Sequence, residues 1–258
     1  MFIGSRKLSL AGVLVLLCSL SLMVAGCGST SNGSVLPSSQ QILHYFLNPA
    51  SPDIKTMDPA YTQDFYSGIP VSIVFPGLLE LDANSQPQPF AAAAMPTFDP
   101  STNTYTFKVR PGLRWTDGTP IDATTFAYSI NRALSPCTGS TLTYYLFAIK
   151  DAAAFSTEKC AADGVSAIGK IPSLIGDSLH VPDNQTLVIT LNAPAPYFLQ
   201  ALTYPITYAQ PKQLIDKYGN KDWTNHLTDN GGFGGSLFKV TLWNHTGKLD
   251  VVANPSYW

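Results

Sequence analysis

Near the middle of the chain, the spacing of apolar and polar side chains changes from one period to another. Residues 105–110 alternate aromatic or aliphatic side chains with polar ones, which is typical of a strand that buries one face. Phe126, Ile130 and Leu134 then recur four residues apart, which places them on one face of a helix. Asp122 precedes this run and can accept hydrogen bonds from the first backbone N–H groups of that helix. The segment therefore predicts a strand, a turn and a helix in succession.

The same patterns predict further elements toward the C-terminus. Alternation recurs over residues 184–192, which predicts another strand, and residues 238–243 and 248–252 predict a hairpin. Residues 211–218 predict a short helix that ends before Gly219, since glycine readily takes the left-handed conformation found at helix C-termini.

The remaining regions are less regular. Residues 42–47 predict a first strand, whereas residues 135–181, with their Gly-, Pro- and Ala-rich pieces, predict irregular structure. A helix that begins near residue 67 should end near Val74 or Phe75, because the proline that follows cannot donate a helical hydrogen bond.

The N-terminus has the pattern of an export signal. Arg6 and Lys7 precede a largely apolar run over residues 8–24. The Val-Ala-Gly-Cys run that ends at Cys27 resembles a bacterial lipobox, whose cysteine receives a diacylglyceryl group and becomes the mature N-terminus. This predicts a signal peptide at residues 1–26 and a flexible tether, rich in Ser and Gly, at residues 27–40.

An uncleaved membrane anchor is the alternative for this N-terminal segment, because the apolar run is nearly long enough to span a bilayer. Small residues directly before Cys27 and the Ser/Gly-rich stretch after it favour the lipoprotein. In both cases the rest of the chain lies outside the cytoplasm.

Charge and composition indicate a well-filled globular body. The net charge is −2 and charged residues are only 12% of the chain, so the sequence offers no basic patch for nucleic acid. Aromatic residues reach 11%, which suits stacking on a ligand and equally suits a core.

Two cysteines, Cys137 and Cys160, remain beyond the N-terminal segment. Outside the cytoplasm such a pair is more consistent with a disulfide than with a metal site. Two free buried thiols are the open alternative. No neighbouring residues have the spacing of metal ligands, so we predict no metal and no cofactor.

The sequence lacks the constellations that an enzyme needs. There is no nucleophile elbow, no P-loop and no zinc-binding H-E-x-x-H helix, and the four histidines are scattered. The competing hypothesis is an extracytoplasmic hydrolase that uses Asp117 and Asp122 as paired carboxylates. Both acids have ready structural roles, as turn former and helix cap, so we expect a protein that is not an enzyme.

Several motifs together resemble those of one family. Residues 113–120 (LRWTDGTP) and the helix that follows them resemble the signature of the family 5 extracellular solute-binding proteins, which are the peptide, nickel and oligosaccharide receptors of ABC importers. Asp58-Pro59, residues 193–198 (APAPYF) and residues 254–258 (NPSYW) match further family motifs in the same order. Residues 234–238 (GGSLF) depart from the family pattern near its hinge.

This resemblance implies an α/β fold with mixed sheets: a periplasmic-binding-protein-like class II lobe with an inserted subdomain. Residues 41–75 and 197–258 would form the first lobe, discontinuous and incomplete, and residues 76–196 the inserted subdomain. Family members are about twice as long as this chain, so we expect the second lobe to be missing.

The function implied by the resemblance is that of a substrate-binding lipoprotein, or a truncated fragment of one. It would capture oligopeptides or similar small solutes outside the cell and deliver them to the ABC permease, held to the membrane by the lipid on Cys27. A non-functional product of a split gene is a further alternative. As an incomplete receptor, the chain is expected to bind peptides no more tightly than about 1 mM.

The resemblance also implies which residues face the ligand. One wall of the cleft would come from residues 62–67, with Phe65, Tyr66 and Ser67 as candidates. Tyr144 and Tyr145 correspond in position to a ligand-facing tyrosine of the peptide receptors. Core packing is the alternative for each of these side chains.

Overall fold

The computed structural model describes residues 54–245 and 247–258. The predicted signal peptide, the tether with Cys27 and the predicted strand at residues 42–47 lie outside the described residues. Within the part of the chain that is described, no helix has both the length and the apolar character needed to cross a bilayer.

Five α-helices occur in the described residues, with short 3₁₀ helices between them. The α-helices are α1 (Phe65–Val74), α2 (Ala123–Leu134), α3 (Ala152–Ser156), α4 (Phe198–Ala201) and α5 (Lys212–Tyr218). The 3₁₀ helices are Pro59–Tyr61, Thr143–Leu146, Pro205–Thr207, Trp223–His226 and Asp229–Gly231.

The strands form one larger sheet and three two-stranded ribbons. The four-stranded antiparallel sheet has the order β3 (Thr97–Asp99), β4 (Thr104–Lys108), β8 (Thr186–Thr190) and β7 (Leu179–Asp183). The ribbons pair β1 (Leu79–Leu81) with β2 (Pro87–Pro89), β5 (Lys159–Cys160) with β6 (Ala167–Ile168), and β9 (Phe238–Trp243) with β10 (Leu249–Ala253).

The predicted strand, turn and helix are confirmed as β4 and α2. The side chain of Asp122 accepts hydrogen bonds from the backbone N–H groups of Thr124 and Thr125 and so begins α2. All three residues of the predicted apolar face of α2 are fully buried: Phe126, Ile130 and Leu134. This face packs on β7 and β8, since an amphipathic helix must cover its apolar stripe.

The register of the large sheet explains its buried face. Phe107 of β4 lies opposite Leu187 of β8, and both side chains are buried. Residues 184–192 had predicted the second of these strands by alternation, and β8 confirms it. Cross-strand apolar pairs of this kind stabilise a sheet and fix its register.

Most of the other predicted elements are confirmed. Helix α1 ends at Val74, as the proline at position 76 requires, although it begins at Phe65, two residues earlier than expected. Helix α5 ends before Gly219, whose φ of 88° is positive. The β9–β10 hairpin forms as predicted, and residues 135–181 contain mainly short elements.

One hydrophobic core includes residues of both the predicted first lobe and the predicted inserted subdomain. The ring of Phe75 packs edge-to-face against Trp115 at 6.1 Å and against Trp223 at 5.8 Å. Phe75 and Trp223 belong to the predicted first lobe and Trp115 to the predicted inserted subdomain. The division at residues 75/76 and 196/197 stays a prediction.

The loop that departs from the family pattern packs against this core. The backbone N–H of Gly235 donates to the carbonyl of Val74 at 2.9 Å. A Cβ atom at position 235 would lie 2.5 Å from the indole of Trp115, so only glycine lets the backbone approach this closely.

Candidate functional site

A buried ion pair joins α2 to the segment that precedes the predicted site residues of α1. The guanidinium of Arg132, on α2, donates from Nη1 to Oδ1 of Asp58 at 2.9 Å and from Nη2 to Oδ2 at 2.7 Å. The side chains are 5% and 4% exposed. Such a two-bond geometry fixes both direction and distance between the partners.

The remaining polar atoms of the pair are also bonded. Asp58 accepts from the backbone N–H of Ala60 and from the indole N–H of Trp223, each at 2.9 Å. Arg132 donates from Nε to the side-chain oxygen of Asn220 at 2.7 Å and from Nη1 to the side-chain oxygen of Gln210. A buried charge is tolerated only when it is paired and hydrogen-bonded in this way.

The pKa of Arg132 is determined by its burial and by its pairing with Asp58. Burial by itself lowers the pKa of Arg132, but the Asp58 carboxylate and its hydrogen bonds outweigh burial and hold that pKa above its ordinary value. The guanidinium therefore stays charged, and it ties the segment that begins with Asp58 to α2 and to residues 210–223.

Three tyrosines form an exposed stack beside this buried pair, here called the tyrosine ladder: Tyr144, Tyr145 and Tyr204. The rings of Tyr144 and Tyr145 are stacked at 4.5 Å, and those of Tyr145 and Tyr204 at 4.7 Å. Tyr144 is 55% exposed and Tyr204 is 39% exposed. A hydrogen bond with the Tyr145 side chain raises the pKa of Tyr144.

Two of the predicted site residues thus lie together in the ladder, and sequence reasoning missed the third member. Tyr204 directly precedes the 3₁₀ helix Pro205–Thr207 and lies far along the chain from Tyr145. No spacing of residues in the sequence around Tyr204 predicts that its ring stacks on Tyr145. The one available signal was its position a few residues after the family motif at residues 193–198.

The predicted site residues at the start of α1 differ in their exposure. Phe65 is 71% exposed and packs edge-to-face with Tyr66 at 6.0 Å, so both rings stand at the first turn of the helix. Ser67 is fully buried, and its hydroxyl accepts hydrogen bonds from the backbone N–H groups of Lys55 and Thr56. The Ser67 hydroxyl is thus engaged within the protein, and the assignment of Ser67 to the ligand-facing wall stays a prediction.

The elements that carry these residues pack around one 3₁₀ helix. Pro205–Thr207 contacts both α1 and the 3₁₀ helix Pro59–Tyr61. Thr143–Leu146, which carries Tyr144 and Tyr145, packs against α4. Helix α1 and the tyrosine ladder therefore both adjoin residues 204–207. The Asp58–Arg132 pair fixes the neighbouring 3₁₀ helix Pro59–Tyr61.

The two remaining cysteines are joined in the structure. Cys137 and Cys160 form a disulfide with a Cα–Cα distance of 4.9 Å, which lies within the usual range for such a bond. The bond connects the loop after α2 to β5. Among the described residues, no group of three or more His, Cys, Asp or Glu side chains could hold a metal ion.

The carboxylates of the competing hydrolase hypothesis are engaged in structural roles. Asp117 accepts from the backbone N–H and the hydroxyl of Thr119 at 2.9 and 2.6 Å, and from the side-chain amide of Gln213 at 3.0 Å. Asp122 caps α2. These are the turn and cap roles that the sequence predicts for both acids.

Comparison with known proteins identifies relatives over most of the chain. Residues 86–258 match the family model described as bacterial extracellular solute-binding proteins, family 5 Middle. The chain is 32% identical to the oligopeptide-binding protein OppA of Bacillus subtilis over 95% of its length, and 29% identical to the periplasmic oligopeptide-binding protein OppA of Escherichia coli over 99%. It covers only 42% and 43% of those two proteins.

Solved structures give the same result for the fold. The chain resembles the pheromone receptor PrgZ with a TM-score of 0.67 and 29% identity, over 80% of this chain and 38% of that one. It resembles the substrate-binding domain of an oligopeptide ABC transporter from Bacillus anthracis with a TM-score of 0.67 and 26% identity, over 81% and 37%. The predicted fold class, an α/β lobe of the periplasmic-binding-protein type, is confirmed, and the named strands of the described residues all pair antiparallel.

Proposed function

Because this chain belongs to family 5 of the bacterial extracellular solute-binding proteins, we propose that it is the substrate-binding component of an ABC importer. It captures oligopeptides or similar solutes outside the cytoplasm and presents them to the membrane permease. Relatives named as oligopeptide-binding and dipeptide-binding proteins support a peptide ligand. The chain spans about two fifths of those relatives' length, so this assignment rests on the part of the family that it contains.

The observation that carries the proposal at the level of residues is the tyrosine ladder. Three stacked rings that remain partly exposed offer flat apolar surface together with hydroxyl groups. Surfaces of this kind suit peptide backbones and side chains of varied sequence, because tyrosine gives a large contact area and loses little conformational entropy. Phe65 and Tyr66, at the start of α1, extend the proposed contact surface.

Titration of the full chain with short peptides at millimolar concentration tests this role. Removing one ring of the ladder, in Tyr144→Ala or Tyr204→Ala, should weaken peptide binding roughly fivefold, since a stacked aromatic contact contributes about 1 kcal/mol. The matched control is Tyr197→Ala, because Tyr197 is 59% exposed, like Tyr144 at 55%, but lies outside the ladder.

The two possible failures of this experiment have different meanings. Equal affinity in the parent chain and both ladder variants would reject the ladder as the contact surface. Absence of saturable binding for any peptide in the parent chain would reject peptide capture by this polypeptide. That result would mean that the protein binds a different class of solute, or that this chain cannot bind a ligand alone.

We propose further that a lipid on Cys27 anchors the protein to the outer face of the membrane. The support is the lipobox-like run that ends at this cysteine and the Ser/Gly-rich tether after it. A diacylglyceryl group has two acyl chains, which is enough for stable anchoring. Intact-mass measurement on membrane-extracted protein should show loss of residues 1–26 and a diacylglyceryl adduct. Release of unmodified protein into the medium would contradict the anchor.

A further inference from the structure

A second concave site lies next to the buried ion pair, on the loop that carries the disulfide. This pocket has a volume of about 510 Å³ and is distinct from the tyrosine ladder, none of whose residues lines it. Its lining includes the deeply buried Asp58, which we call its base, and Thr138, Gly139, Lys221 and Thr224, which we call its walls. We call it the loop pocket.

The walls of the loop pocket are fixed by hydrogen bonds. The hydroxyl of Tyr61 donates to the carbonyl of Thr138 at 2.6 Å. The side-chain amide of Asn220 donates to the carbonyl of Cys137 at 3.4 Å, and its oxygen accepts from Arg132. The disulfide at Cys137 adds a covalent tie to β5. A pocket held in this way is already formed before a ligand arrives, which lowers the entropic cost of binding.

The acidic group at the base of the pocket has no capacity left for a ligand. Asp58 is 3% exposed and accepts four hydrogen bonds, two of them from Arg132, whose charge balances its own. The base of the pocket is therefore close to neutral, and the charge that a ligand meets comes from the walls.

The groups on the walls have unused donors. Within residues 54–245 and 247–258, the ammonium of Lys221 has no ion pair, and the hydroxyls of Thr138 and Thr224 make no hydrogen bond. Thr138 is only 5% exposed and lines the pocket, and its hydroxyl is not one of the fully buried polar atoms without a partner, so it is open to water through the pocket. A ligand that displaces this water must therefore offer an acceptor to the hydroxyl.

We propose that the loop pocket binds a carboxylate group, with Lys221 supplying the charge and the hydroxyls of Thr138 and Thr224 donating hydrogen bonds to its oxygens. A cationic ligand is disfavoured by Lys221, and an apolar one would leave the hydroxyls unsatisfied. The carboxylate comes either from a free small acid or from an acidic side chain of a bound peptide. The proposal goes beyond the transport role, because the pocket binds the group whether or not the tyrosine ladder takes a peptide.

Calorimetric titration of the full chain with glutarate tests the site, with glutaramide as the neutral control of the same shape. We expect saturable binding of glutarate that weakens as salt is added, and no binding of glutaramide. A capped peptide that contains one Glu should also bind more tightly than its Gln counterpart if the acidic side chain of a peptide uses the pocket. Equal binding of that pair, together with glutarate binding, assigns the site to free acids.

Variants connect the binding to named groups. Lys221→Gln should weaken glutarate binding about tenfold, and Thr138→Val, which removes only the hydroxyl, about threefold. The control Lys170→Gln removes an exposed lysine outside the pocket and should change nothing. Hydrogen exchange should show glutarate-dependent protection at residues 137–139 and 221–224. Equal weakening in the Lys170 and Lys221 variants, or no glutarate binding with all variants folded, would overturn the proposal.

Discussion

The Asp58–Arg132 pair and the tyrosine ladder occupy adjoining elements, but their side chains are satisfied to very different degrees. The ion pair is about 95% buried, and hydrogen bonds from three chain segments surround it. The ladder places three rings side by side and leaves Tyr144 more than half exposed at 55%.

This difference suggests that the ion pair positions elements of the fold, whereas the ladder offers a contact surface to another molecule. A buried, fully bonded charge cluster specifies one arrangement of the elements that it joins, because every alternative leaves a charge unpaired in a low dielectric. An exposed aromatic stack specifies little about the fold, but it retains surface for another molecule. Substitutions in the two regions should therefore affect different measurements: stability for the pair and ligand affinity for the ladder.

The largest expected effect comes from breaking the ion pair. Arg132→Met leaves Asp58 buried and unpaired, which should lower the free energy of unfolding by about 3–5 kcal/mol. Urea denaturation of the parent and variant chains measures this loss. The control Lys212→Ala breaks an ion pair with Asp216 in which both side chains are more than half exposed, and it should cost less than about 1 kcal/mol. Similar losses in both variants would mean that the buried pair contributes no more to stability than an exposed one.

The next largest effect concerns the loop beside the pair. Cys137→Ala together with Cys160→Ala opens a covalent loop with a sequence separation of 23 and should lower stability by roughly 3 kcal/mol. Denaturation of the parent chain with and without a dithiol reductant should give the same difference. Titration of two reactive thiols at these positions in the denatured, unreduced protein would instead mean that the bond does not form.

A smaller, pH-dependent effect comes from two tyrosines, the buried Tyr208 and the half-buried Tyr128. Burial raises the pKa of Tyr128 and of Tyr208 to about 12 in each case, against some opposition from Arg132 at Tyr128. In the unfolded chain these groups ionise near pH 10, so between about pH 10 and about pH 12 only the unfolded state releases its protons. Stability should therefore be unaffected below pH 10 and should fall by up to about 1.4 kcal/mol per pH unit for each tyrosine within that window.

Substitution by phenylalanine isolates this contribution. Tyr128→Phe cannot ionise, so its free energy of unfolding should fall less steeply between pH 10 and pH 12 than that of the parent chain. Tyr197→Phe, at a position 59% exposed, should leave the slope unchanged. Parallel slopes in the parent chain and the Tyr128 variant would show that Tyr128 ionises at the same pH in both states.

Local pattern was sufficient for the elements but not for the contacts between them. Helix α2 follows from the spacing of its apolar residues and from the cap at Asp122, because all of that information lies within a dozen residues. The pair of Asp58 with Arg132 spans 74 positions, and no periodicity connects such distant residues. A signal did exist, since Asp58 and Arg132 each fall within a family motif, and charged residues are rare here at 12%.

The candidate site could be predicted only in part for the same reason. Tyr144 and Tyr145 could be proposed from their position in the family pattern, whereas Tyr204 joins them through tertiary packing. The partner of the Ser67 hydroxyl could not be predicted either, because a small hydroxyl in the first turn of a helix can bond either to a ligand or to nearby backbone. Here the backbone of Lys55 and Thr56 is the partner.

The smallest expected change in stability comes from truncating a ring at the end of the ladder. Tyr144 is the outer ring of the ladder, it is 55% exposed, and it loses only one stacked neighbour when truncated. Tyr144→Ala should therefore lower the free energy of unfolding by no more than about 1 kcal/mol, the contribution of one stacked aromatic contact. Urea denaturation measures this change on the same sample that is used for peptide titration. A loss above about 2 kcal/mol would mean that the ladder holds the fold together like the ion pair, and any effect of this variant on peptide affinity would then reflect damaged structure rather than a lost contact.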